Sequence, residues 1–164
     1  MSKTFIENYK VVPVLSDQDL TGTDAGMPGD SINMKGYHRC TFLVGLQTLG
    51  GATATVAVYS GATDGALTSA LTFRYAFGGA AAGSASCDVL AAWDTSALLS
   101  LTHGTYDNYM LLIDVKAEEM DTANNENWLT IVFLDTATGA TGNVQVHAIL
   151  EPRYSQNRSA TALT

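Results

Sequence analysis

Asp17, Asp19 and Asp24 lie close enough in the chain to gather carboxylate oxygens around a hard cation such as Ca2+, which takes several oxygen ligands. An EF-hand loop closes on a glutamate at its twelfth position, and counting from Asp17 that position holds Pro28. A solvated, turn-forming acidic loop is the expectation, and the same holds for Glu118, Glu119, Asp121 and Glu126. His38, His103 and His147 are far apart and form no HExxH or HxH pattern that would set two imidazoles on one metal. Cys40 and Cys87 form no CxxC pair, so buried free thiols are expected. No GxSxG elbow is present, so nucleophilic catalysis would rest on pairings between distant residues. The Gly-Gly-Ala-Ala-Ala-Gly run at 78–83 lacks the Lys-Ser/Thr ending and following helix of a phosphate loop, and reads as an inter-strand loop.

Aromatic residues offer a different chemistry, because their faces stack on the CH groups of sugars. Trp93, Trp128 and seven tyrosines are available for this. Trp128 falls in the most apolar run and is expected in the core, whereas Trp93, beside Asp94 in a loop-like stretch, is the candidate ligand-facing aromatic. No catalytic residue, cofactor or metal site is expected.

The elements that must position these residues are strands. Hydrophobic residues make up 46% of the chain and charged ones 15%, too apolar for a disordered chain, while 15 glycines suit short strands joined by turns. In 39–47, Cys40, Phe42, Val44 and Leu46 share one face. In 71–77, Leu71, Phe73, Tyr75 and Phe77 point one way and Thr72, Arg74 and Ala76 the other, as in a half-buried antiparallel strand. The same alternation runs through 53–60, 109–116 and 144–150. The 128–134 run is apolar on both faces, which predicts a central strand covered twice, and Pro13 restricts 9–15 to an edge or a bulge. Residues 91–101 permit at most two helical turns. About eight strands without crossover helices predict an all-β antiparallel sandwich of jelly-roll type.

One domain is expected from the length, as a sandwich over 10–154 flanked by an N-terminal arm, 1–9, and a C-terminal arm, 155–164. The last ten residues bury too little apolar surface to offset the entropy of ordering them, so an external partner is the expected source of their order. The net charge is −8 and the eight basic residues are scattered, so no stripe for displacing phosphate counterions is visible and direct binding to nucleic acid is not expected. No signal-peptide core and no membrane-length apolar run occur, so folding in a cytoplasm is the expectation.

Four blocks carry a family resemblance: Arg39-Cys40-Thr41-Phe42-Leu43-Val44, Gly50-Gly51-Ala52-Thr53-Ala54-Thr55-Val56, Leu71-Thr72-Phe73-Arg74-Tyr75 and Ile149-Leu150-Glu151-Pro152-Arg153-Tyr154. In this order, closing on Pro-Arg-Tyr, they resemble small structural proteins of tailed-bacteriophage heads, over roughly 35–154. The resemblance implies a head decoration, or cement, protein: a non-enzymatic β-sandwich subunit of the virion, bound outside an icosahedral shell and tying major capsid proteins together. Many such proteins are homotrimers. On this expectation Phe5, Ile6 and Tyr9 anchor an N-terminal arm, and Arg153, Tyr154 and Arg158 belong to a C-terminal arm facing other subunits; the alternative for Tyr154 is packing on its own sandwich. A reading of another class is a carbohydrate- or receptor-binding sandwich of a phage fibre or neck, which predicts Trp93 and several tyrosines along one open groove.

Overall fold

Alternation at period two becomes pairing because each strand can bury only one of its faces. The structure, a computed structural model, describes residues 4–21, 26–135 and 139–154, without the side chains of 6 and 7. Fourteen strands form among them: β1 (Lys10–Asp19), β2 (Met27–Pro28), β3 (Ile32–Asn33), β4 (Tyr37–Leu46), β5 (Gly50–Gly51), β6 (Ala54–Gly61), β7 (Ser69–Ala70), β8 (Phe73–Phe77), β9 (Asp94–Ser96), β10 (Leu99–Leu101), β11 (Met110–Lys116), β12 (Trp128–Asp135), β13 (Ala140–Thr141) and β14 (Asn143–Pro152).

One sheet has the order β1-β14-β4-β11-β8-β9, and the other β10-β6-β12-β2, with β3 on β12 and β7 on β6. Nine of these strands, with β2 and β3 counted as one, carry the architecture. Numbering β1, β2 with β3, β4, β6, β10, β11, β12 and β14 from one to eight, the sheets read 1-8-3-6 and 2-7-4-5, the order of a jelly roll. The fold is thus an all-β antiparallel sandwich, and its strand count exceeds the expected eight. The surplus consists of two-residue strands and of β8 and β9, which extend the first sheet past β11.

The core lies where the two inner faces meet. Cys40, Phe42, Val44 and Leu46 of β4, Leu111, Ile113 and Val115 of β11, and Val144, Val146 and Ala148 of β14 face Val56 and Val58 of β6 and Leu129, Ile131 and Phe133 of β12, all buried. Removing such a side chain from water contributes about 1.5–3 kcal/mol. β12 is the doubly covered central strand expected, with Thr130 and Val132 buried on its second face. β1 is an edge strand, and its register shifts after Pro13, which has no N–H to donate.

Three expectations are corrected. β6 is buried on both faces, Thr55 and Ala57 included, so its alternation is of size rather than of exposure. Residues 91–101 form β9 and β10 instead of helical turns, because Leu99 and Leu101 gain burial by pairing with Val56 and Ala54. The expected extended N-terminal arm contains a single helical turn, α1 (Phe5–Asn8), closed by Tyr9 N–H donating to Phe5 O at 2.9 Å.

Candidate interaction surfaces

Between β6 and β10, the fourth and fifth strands of the jelly roll, the chain makes an excursion over residues 62–98 that builds β7, β8 and β9. Its longest connector, 78–93, has its backbone pinned. Gly78 and Leu90 form an isolated bridge, Gly79 N–H donates to Val89 O, Ala91 N–H to Phe77 O at 2.8 Å and Ala82 N–H to Asn108 O at 2.8 Å. With its ends tied together and a series of turns between them, the connector has the build of an Ω-loop. Its side chains nevertheless face out. Val89 is 56% exposed, and Leu90, Trp93, Leu98 and Leu67 of the same excursion are also exposed. Five of the ten exposed large hydrophobic side chains among the described residues thus lie in this one excursion.

The sequence-predicted arm residues supply three more. Phe5 and Tyr9 are exposed with their rings 5.2 Å apart across α1, and Tyr154 is 59% exposed after β14. The Ile6 side chain and Arg158 lie outside the described residues. Arg153 is held to its own sandwich: its N–H donates to Gly36 O at 2.9 Å and its Nε donates to Tyr37 O at 2.8 Å. It thereby sets the direction in which the chain leaves β14. His38, Arg39, Lys116, Glu118, Glu151 and Arg153 border a charged cleft at this end of the sheet.

Trp93 sits on the outer face of the sheet that contains β4, β11 and β8, with the Arg74 guanidinium 5.4 Å from its ring centroid. Arg39, Thr41, Leu112 and Asp114 complete a cleft of about 390 Å3. Asp114 is buried and committed, accepting from Thr41 Oγ1 at 3.0 Å with Arg39 Nε at 3.7 Å. Arg74 has no carboxylate within 4.0 Å among the described residues, whereas Arg39 of the same cleft pairs with Asp114 and Glu151. The tyrosines do not join Trp93. Tyr75 projects from the opposite face of β8, where Phe77 stacks on Tyr106 at 3.9 Å and Tyr106 meets Tyr109 edge-on. Partial burial, and next the negative charge of Asp94, raise the Tyr75 pKa above the usual phenol value.

At the β1 edge of the sandwich, Val12, Pro13 and Val14 meet Asp30, Ser31, Ile32 and Asp64 around a cleft of about 400 Å3. Asp30 N–H donates to Val14 O at 2.9 Å, which ties the β2–β3 connection to the edge strand. The Asp30 and Asp64 carboxylates are exposed and have no ion pair or side-chain hydrogen bond among the described residues.

The other chemical candidates disperse. Asp17 accepts from Gln47 Nε2 at 3.0 Å, and Asp19 accepts from Thr21 N–H and Oγ1, which hold its carboxyl below the ordinary range; Asp24 lies outside the described residues. Glu119 accepts from Lys116 N–H, Asp121 from Asn124 N–H, and Glu126 is buried. Among the described residues no three His, Cys, Asp or Glu side chains converge to hold a metal ion. Cys40 is buried, and loss of solvent, then the charge of Asp114, pushes its thiol pKa far up; Cys87 is exposed on the 78–93 connector, not buried as expected. His147 is exposed on the outer face of β14.

Sequence reasoning missed Val89, Leu90 and the Arg74 partnership with Trp93. The available signals were an adjacent apolar pair in an otherwise small and polar connector, and an arginine on the outward-facing set of β8. Comparison with protein-family models, with curated proteins and with solved structures gives no match.

Proposed function

We propose that this chain is a structural subunit of a phage virion that decorates the outside of the capsid and bridges its subunits, acting by binding and without catalysis. The observation that carries the proposal is the concentration of exposed apolar side chains on a pinned excursion: a backbone already ordered loses little further entropy when Val89 and Leu90 are covered. Phe5, Tyr9 and Tyr154 extend the same surface chemistry to the chain ends. The four sequence blocks that resemble head decoration proteins name the kind of surface to be covered.

A shell under pressure from packaged DNA is strengthened by a ligand that binds the assembled lattice and not free subunits, because the binding free energy adds to the lattice by mass action. Several modest contacts become strong when a trimer presents them together. Val89 and Leu90 are about half exposed, so covering both contributes about 2 kcal/mol per subunit, or roughly thirty-fold in affinity. The test is co-sedimentation of Val89→Ser/Leu90→Ser with expanded heads that lack the protein. Weakened binding at unchanged thermal stability is expected; undiminished binding contradicts the proposal.

A second reading, a glycan- or receptor-binding module, is favoured by one observation, the exposed Trp93 beside Arg74 and Asp114. It is separated by glycan-array binding that Trp93→Ala abolishes. The position of the tyrosine cluster on the other face of β8 weighs for the cement reading.

A further inference from the structure

We propose that copies of this chain associate head to tail, the Arg74–Trp93 cleft of one copy resting on the Asp30–Asp64 cleft of the next. This deepens the cement reading, on which the resulting ring is a trimer. The two clefts are separate patches of one sandwich, one on the outer face over β4, β11 and β8 and the other at the edge formed by β1 with β2 and β3. Two different patches that meet each other make a heterologous contact, which closes into a ring when the rotation between copies permits.

Charge selects the partner. At a net −8, copies repel one another over most of their surface, so an attractive contact must use the few cations. Arg74 is exposed, with no carboxylate within 4.0 Å, and Asp30 and Asp64 are exposed carboxylates with no cation within that distance, all among the described residues. Asp114 of the first cleft is already engaged by Thr41 and Arg39, so Arg74 on one side and Asp30 with Asp64 on the other are the opposite charges left unpaired. The apolar parts also correspond, with Trp93 and Leu112 on one side and Val12 and Pro13 on the other.

Pro13 fixes the kind of contact. The β1 edge beside it is already engaged, with Asp30 N–H donating to Val14 O, and Pro13 has no N–H for an added strand, so the neighbouring copy meets this edge through side chains rather than by extending the sheet. An arginine against two aspartates, flanked by an indole, is the composition expected at the centre of such an interface.

The test measures mass by light scattering during size exclusion, over a concentration series at low and high salt. The proteins are the full chain, Arg74→Glu, Asp64→Arg and the double variant. The wild type is expected to be a trimer that weakens with salt. Each single reversal is expected to weaken association about tenfold or more, and the double variant to regain most of it. As a second measurement, Arg74→Cys and Asp64→Cys proteins, each in a Cys87→Ser background, are mixed under oxidising conditions. A disulfide-linked pair containing one of each is expected, and its absence overturns the contact. A trimer unmoved by either reversal, or a double variant as dissociated as the singles, also overturns the contact, yet leaves the cement reading standing if heads are still bound. A wild-type monomer at every concentration that binds no heads overturns both.

Discussion

Replacing Glu126 by alanine should destabilise the sandwich by about 2–4 kcal/mol, because this carboxylate joins three segments inside the protein. It lies just before β12 and is 3% exposed. Ser60 Oγ of β6 donates to its Oε2 at 2.5 Å, and Ser69 Oγ of β7 donates to its Oε1 at 3.1 Å. Two hydrogen bonds to a charged group contribute about 1.5–3 kcal/mol each, and truncation also leaves the fully buried Ser60 hydroxyl without an acceptor. Against this, alanine removes the need to desolvate a carboxylate, which lowers the sum to the range given. Glu126→Gln keeps the shape and one acceptor oxygen, and the Ser60 hydroxyl can rotate to accept from the new amide, so a loss of about 1 kcal/mol is expected. At roughly 2–4 °C per kcal/mol for a chain of this size, the alanine variant should melt about 5–15 °C lower. Differential scanning calorimetry with urea titration reads both. Glu118→Gln, which breaks only the exposed pair with Lys116, serves as the near-neutral control. An alanine variant within about 0.5 kcal/mol of wild type, or a glutamine variant as damaged as alanine, would refute the reasoning.

In the native protein a thiol reagent should modify Cys87 alone, with Cys40 reacting only on unfolding, since burial both shields its thiol and disfavours the thiolate; two equivalents taken up under native conditions contradict this. The raised Tyr75 pKa means that the folded state holds this proton more tightly than the unfolded one. Its contribution is complete below the unfolded value of about 10 and is lost as pH rises through the higher folded value. In an alkaline absorbance titration, Tyr75→Phe should therefore remove a late-titrating phenol, and seven tyrosines that titrate together near the ordinary value count against it. Gly51 adopts φ +67°, and a Cβ there would overlap the carbonyl oxygen of Gly139, so Gly51→Ala should lower stability by about 2 kcal/mol or more, measured by urea unfolding.

The longer strands were legible because their residues differ by face. Cys40, Phe42, Val44 and Leu46 alternate with half-exposed neighbours, and the burial of β4, β11 and β14 follows that pattern. β6 was misread because its second face is covered through small residues, and neither Thr55 nor Ala57 advertises burial by hydrophobicity. β9 and β10 were hidden because three-residue strands owe their form to distant partners such as Thr55 and Val56, whereas local propensity in 91–101 points to helix. Strands of two residues have no period to read. The candidate surfaces divide likewise. Exposure of Phe5, Tyr9, Trp93 and Tyr154 accords with their sequence context, but Arg153 bonds to the carbonyls of Gly36 and Tyr37, acceptors that every residue carries and no sequence pattern distinguishes.

The function proposed for this sandwich is to cover the outside of an assembled shell. Cryo-electron microscopy of the particle formed when heads lacking the protein are incubated with it tests that claim most directly. The account predicts jelly-roll density on the outer surface at bridging positions between capsid subunits, with Val89 and Leu90 of the 78–93 connector against the shell. Heads that remain bare at saturating protein, or density confined to a neck or fibre, would contradict it.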